Sequence, residues 1–184
     1  MPDNWTYIVE DPRRSELLRE WGVPELIISL GSGSVPDEVF EFNCKKPKHV
    51  FSDEETSDKE LVVGVYESKY DEAFACRRQG DGVEFVYFNV KRPTDVQVYG
   101  ASPQCLLRAL FDEIVQSEYN KRDDIKRAAK NIGFDYLADT YAFIFGERKL
   151  TMYDPRKRDM KAYHKRRLEY IRGIYRPGLA DPYV

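Results

Sequence analysis

Between residues 61 and 100 the chain alternates short β-branched and aromatic runs with turn residues, and this succession limits the fold more than any other stretch. Residues 61–66 are β-branched and short, and residues 73–78 follow as a second strand. Gln79-Gly80-Asp81-Gly82 reads as a turn, residues 83–90 as the next strand and residues 95–100 as a further one. Strands this close in sequence pair as an antiparallel meander. Within the third run Val83, Phe85, Tyr87 and Asn89 face one way, and Glu84, Val86, Phe88 and Val90 the other. Apolar side chains on both faces predict a central strand.

Helical signals flank the meander. Ser102 is placed to cap a helix with Pro103 at its first position. Leu106, Leu107, Leu110, Phe111, Ile114 and Val115 recur at three- and four-residue spacing, predicting an amphipathic helix to about residue 119. Residues 123–131 form a more polar helix that Gly133 ends, and residues 137–145 are apolar enough to be buried. Residues 155–173 are helical in composition, with Tyr163, Leu168 and Ile171 set among basic residues. Towards the N-terminus, Asp11, Pro12 and Ser15 set up a helix whose apolar face is Leu17, Leu18 and Trp21, stopped by Gly22 and Pro24. Residues 26–30 suit either a buried strand or a helical turn, and Gly31-Ser32-Gly33-Ser34 reads as a flexible loop.

The charge is unevenly spread. Residues 147–176 hold eleven Lys and Arg against four acids, whereas residues 1–146 carry 18 basic and 27 acidic residues. An acidic body, residues 1–146, thus carries a basic helical segment, residues 147–184. The segment either docks on that body, or lies as a solvated face, or contacts a polyanion through Arg156, Lys157, Arg158, Lys161, Lys165, Arg166 and Arg167. Tyr153, Tyr163, Tyr170 and Tyr175 interleave with these cations; at helical spacing such tyrosines more often bury their rings than stack on bases. On the acidic side, Asp53, Glu54, Glu55, Asp58 and Glu60 crowd one polar run, with Asp37, Glu38 and Glu41 nearby in sequence. Such a surface steers a basic partner.

Several classes are excluded or unsupported. Cys44, Cys76 and Cys105 form no CxxC pair, so neither a disulfide scaffold nor a cysteine-rich zinc site organises the chain. His49 and His164 make no ligand pair, and no cofactor or metal is expected. Gly31-Ser32-Gly33-Ser34 lacks the flanks of a nucleophile elbow and the lysine of a phosphate loop. Asp112/Glu113 and Asp123/Asp124 read as helix-surface neighbours, and no catalytic constellation stands out. No apolar run approaches the length of a membrane span, and the first residues lack the regions of a signal peptide, so a cytoplasmic location is expected.

The order of these features resembles the SUKH superfamily, which groups cell-wall assembly regulators with bacterial toxin-immunity proteins, and in particular its short bacterial branch. Ser15-Glu16-Leu17-Leu18-Arg19-Glu20-Trp21-Gly22-Val23-Pro24 is similar to the opening helix and its glycine-hydrophobic-proline step. Leu61-Val62-Val63-Gly64 is similar to the first strand with its small residue, and Phe85-Val86-Tyr87-Phe88-Asn89 with Val96-Gln97-Val98-Tyr99 to the paired central strands. The run from Ala101 through Leu110 resembles the serine-capped helix after the sheet, with Ala101 where an asparagine often stands. The C-terminal helix is matched more loosely, by residues 154–171. The resemblance implies an α+β fold, a twisted antiparallel sheet with flanking helices in a single domain. It also implies binding rather than catalysis, with a cognate toxin, such as a basic nuclease domain, as the partner.

Overall fold

The computed structural model describes residues 13–33, 35–47, 50–52, 61–68, 71–117, 120–151 and 159–175. The fold is α+β. Strands β1 (Val50–Ser52), β2 (Leu61–Glu67), β3 (Glu72–Gln79), β4 (Gly82–Asn89) and β5 (Arg92–Gly100) pair antiparallel, in sequence order across one sheet. The predicted alternation holds in β4. Val83, Phe85 and Tyr87 belong to the main core, while Val86, Phe88 and Val90 join Val62, Ala73, Ala75 and Val98 in a smaller cluster on the opposite face.

Two strands differ from expectation. The short strand β1, just ahead of the acidic run, was not among the expected strands. Strand β5 begins at Arg92, ahead of Pro93, because it is an edge strand, where a residue without an N–H is tolerated.

Helices α1 (Arg14–Glu20), α2 (Glu25–Ser29) and α3 (Pro103–Gln116) contribute Leu18, Ile27, Ile28, Leu106, Leu110 and Phe111 to the main core. The open choice at residues 26–30 is settled as helix, with the Pro24 carbonyl accepting from the Ile27 and Ile28 amides. Helix α1 starts without a side-chain cap. Its first residue, Arg14, turns inward instead: Nε donates to the Gly64 carbonyl at 2.7 Å, and Nη2 donates to the Val65 carbonyl and, at 3.4 Å, to that of Ile28. Gly64 and Val65 lie where the β2–β3 register shifts, so the guanidinium serves carbonyls at an irregular point of the ladder. Burial pushes the Arg14 pKa down to about 10, against the opposing effect of Cys76.

Gly31 is buried at the same place, and a Cβ there would stand 1.9 Å from the Val65 carbonyl oxygen. Only glycine fits so close to the strand, which corrects the expectation of a free loop at this residue.

Ser102 caps α3 as expected, its Oγ accepting from the Gln104 amide, and Pro103 opens the helix. The helix ends at Gln116, where Ser117 Oγ donates back to the Ile114 carbonyl at 2.7 Å. Helix α4 (Arg122–Ile132) stops at Gly133, whose φ of 71° gives the left-handed turn that glycine adopts most easily. Helix α5 (Leu137–Thr151) extends beyond the predicted apolar stretch, so a division at 146/147 falls inside a helix. Helix α6 (Met160–Ile171) is capped by Asp159 and places Tyr163, Tyr170 and Ile171 in the main core. Among the described residues no helix is long and apolar enough to cross a membrane.

Candidate functional site

The acidic candidates separate by depth. Asp37 is buried, and its carboxylate accepts from the Val39 amide at 3.1 Å, from Arg127 at 3.1 and 3.2 Å and from Asn131 at 3.1 Å. The Arg127 hydrogen bond holds its pKa below the ordinary carboxylate value despite burial. Asp37 therefore ties a 3-10 turn, Glu38–Phe40, to α4, and its charge is spent there rather than offered to a partner. Glu38 also meets Arg127, at 3.0 Å, but its side chain is 75% exposed. Glu41 and Phe42, next along the turn, are exposed as well. Asp53, Glu54, Glu55, Asp58 and Glu60 lie outside the described residues.

The basic candidates separate too. Arg166 makes a forked pair with Glu147, at 2.6 and 2.9 Å, and Glu147 is almost fully buried. Arg167 Nε donates at 2.6 Å to Asp112, which is wholly buried, and a second nitrogen lies 3.7 Å from Glu113. Burial is the largest single influence and works against the Arg167 charge, but Asp112, Tyr99 and Glu113 together raise the pKa. Arg172, just past α6, donates twice to the Val98 carbonyl at 3.0 and 2.8 Å. These arginines bind the helix to the body. Lys161 and Lys165 stay exposed, and Arg156, Lys157, Arg158, Tyr153 and His49 lie outside the described residues.

Asp112 is thus not the surface neighbour that its sequence pair suggested. Cys105, Arg108, Ala109 and Asp112 follow three- and four-residue spacing along α3, and all are buried. Two of the four are charged, so an apolar pattern search passes over them. Cys44, Cys76 and Cys105 are all buried free thiols, and burial pushes the Cys76 thiol up to about 12.

A cavity of about 520 Å³ opens where the first turns of α3 meet α5 and the end of α6. Arg108 lines it and is only 9% exposed. Its guanidinium carbon lies 3.9 Å from the centre of the Tyr136 ring and 5.2 Å from that of Tyr170. Its polar contacts are long: 3.5 Å from Nη1 to the Tyr170 carbonyl, and 3.8 Å from Nη2 to Asp139, a carboxylate that is mostly in solvent. Phe143 stacks on Tyr170 with ring centres 4.7 Å apart, and Tyr175 meets Phe143 edge-on at 5.2 Å. At the head of α3, Gln104 Nε2 donates to the Gly133 carbonyl at 2.8 Å. Gln104 Oε1 is buried and accepts no hydrogen bond among the described residues. Burial raises the pKa of the neighbouring Cys105 thiol, so it stays neutral. Nothing in the sequence pattern singled this place out, because its parts come from three helices.

Among the described residues no group of three or more His, Cys, Asp and Glu is placed to hold a metal ion. Set against known proteins, the chain matches no family model, no curated protein and no solved structure.

Proposed function

We propose that the protein is a non-catalytic protein-binding module of the SUKH kind, an immunity protein that neutralises a cognate bacterial toxin in the cytoplasm. The sequential antiparallel sheet with its serine-capped helix agrees with the architecture that the resemblance implies. One contrast carries the reading. Arg166 and Arg167 are turned onto the body's own carboxylates, whereas Glu41 and Phe42 stand exposed on one turn, beside a Glu38 that is mostly in solvent although it meets Arg127. An acidic surface with an aromatic anchor suits a basic protein partner, since charges steer the encounter and the ring gains from burial. Nuclease toxins are basic because they bind phosphates, and an inhibitor that covers such a site needs no chemistry of its own.

The test is affinity capture from the native host, with and without nuclease treatment, followed by association kinetics with the captured partner. A stoichiometric basic protein that survives nuclease is expected. Reversing Glu38 and Glu41 to lysine should slow its association about tenfold at low salt, and the difference should shrink as salt is added. Recovery of nucleic acid, with proteins lost after nuclease, would favour instead a polyanion surface built on Lys161 and Lys165. An unchanged association rate for the double reversal would remove this turn from the interface.

A further inference from the structure

We infer that the cavity between α3, α5 and α6 is a binding site for a small aromatic carboxylate, with Arg108 as the group that receives the carboxylate. The inference stands apart from the toxin-immunity reading and draws on different residues.

A guanidinium carries five N–H donors, and a buried one is costly unless they are used. Arg14, likewise buried, and Arg167, half-buried, use theirs. Arg14 serves three carbonyls, and Arg167 holds a buried carboxylate at 2.6 Å. Among the described residues Arg108 has one long hydrogen bond, at 3.5 Å, and an ion pair stretched to 3.8 Å. The faces of Tyr136 and Tyr170 stabilise its charge but take none of its donors. The unspent donors belong to a side chain that lines a cavity, where an incoming carboxylate is the natural complement.

The surroundings narrow the ligand. A space of about 520 Å³ is the size of a small-molecule site. Tyr136, Phe143, Tyr170 and Tyr175 give it aromatic walls, which suit a flat ring. Charge limits the anion: Arg108 and Arg172 line the site against Asp139, a net of one positive charge. That balance matches a singly charged carboxylate better than a doubly charged phosphate ester. The positive end of α3 adds to it, since Ser102, Gln104 and Cys105 form part of the lining.

The test titrates the full chain with indole-3-carboxylate and 4-hydroxybenzoate, following backbone amides by NMR. Benzamide serves as the uncharged comparator and phenyl phosphate as the doubly charged one. Saturable shifts at Cys105 and Gly173 are expected for the carboxylates, with affinity at least about tenfold above that for benzamide. Arg108→Met should abolish that preference. Should this variant fail to fold, the unmodified chain still decides: the bound carboxylate should slow alkylation of Cys105 while leaving Cys44 and Cys76 as they were. Equal binding of benzamide, tighter binding of phenyl phosphate, absence of saturable shifts or unprotected Cys105 would each overturn the assignment.

Discussion

Arg14 and Arg108 are both buried, and they do opposite things with the same side chain. Arg14 sits between α1 and the irregular point of β2, with Gly31 pressed against it and its donors committed to carbonyls. It supplies hydrogen bonds to a backbone that the strand ladder serves poorly. Arg108 sits among tyrosines in the lining of a cavity, with long polar contacts only among the described residues. Depth alone therefore does not tell a structural arginine from one held for a ligand. The number of donors already used by the protein does.

The sharpest way to break this contrast is to replace each guanidinium by a side chain of similar length. Arg14→Met would leave the Gly64 and Val65 carbonyls buried without their donors, at an expected loss of about 4 kcal/mol in unfolding free energy. Arg108→Met would lose the cation–ring contacts but strand little else, costing about 1 kcal/mol. Urea unfolding of the two variants measures the gap directly. Equal losses would mean that Arg108 is as structural as Arg14, and the distinction by unspent donors would fail.

Arg167 supplies an intermediate case. Its pairing with Asp112 is buried, so Asp112→Leu should leave the cation with only the more distant Glu113 and cost about 3 kcal/mol. Adding Arg167→Met to that variant should recover most of the loss, because an apolar pair of similar volume avoids desolvating two charges. Chemical denaturation of the two single variants and the double variant closes the cycle. A double variant no better than Asp112→Leu would show that α6 docks through this charge pair rather than through Tyr163, Tyr170 and Ile171.

Why the partners of these three arginines escaped the sequence is a matter of range. The meander and α3 were legible because their signals are local: two-residue alternation in β4, the Ser102-Pro103 cap, and apolar residues at helical spacing from Leu106 to Val115. The burial of Tyr163 and Tyr170 followed from the same spacing. Arg14 and Gly64 are 50 residues apart, and Arg108 and Tyr170 are 62 apart. No window of local pattern spans such distances, and a charged residue inside a helix reads by default as surface. Strand β1 was missed for a related reason. Three residues carry too little alternation to register, and their pairing with β2 is decided by the neighbour. The candidate cavity was illegible on both counts, with charged and aromatic parts drawn from α3, α5 and α6.

The smallest expected effect tests the other half of the contrast, whether saturated donors matter without burial. Arg127 is as fully engaged as Arg14, with Asp37, Glu38 and Asp124 around it, yet its side chain is nearly half exposed. Asp37→Asn keeps an oxygen for the Val39 amide, removes the charge facing Arg127 and replaces the oxygen that accepts from Arg127 and Asn131 with a donor. The loss of stability at neutral pH should be small, because solvent screens the pair. Its pH dependence has a definite sign. The Asp37 pKa is lowered in the folded state, so the charge contributes fully above the unfolded value, about pH 4, and its contribution fades as pH falls through the lower folded value. Thermal unfolding should therefore separate the native chain from Asp37→Asn at neutral pH and bring them together in acid. A difference that persists unchanged in acid would assign the role of Asp37 to the oxygen that accepts from Arg127 and Asn131 rather than to its charge. It would also leave donor saturation, without burial, as no measure of an arginine's worth.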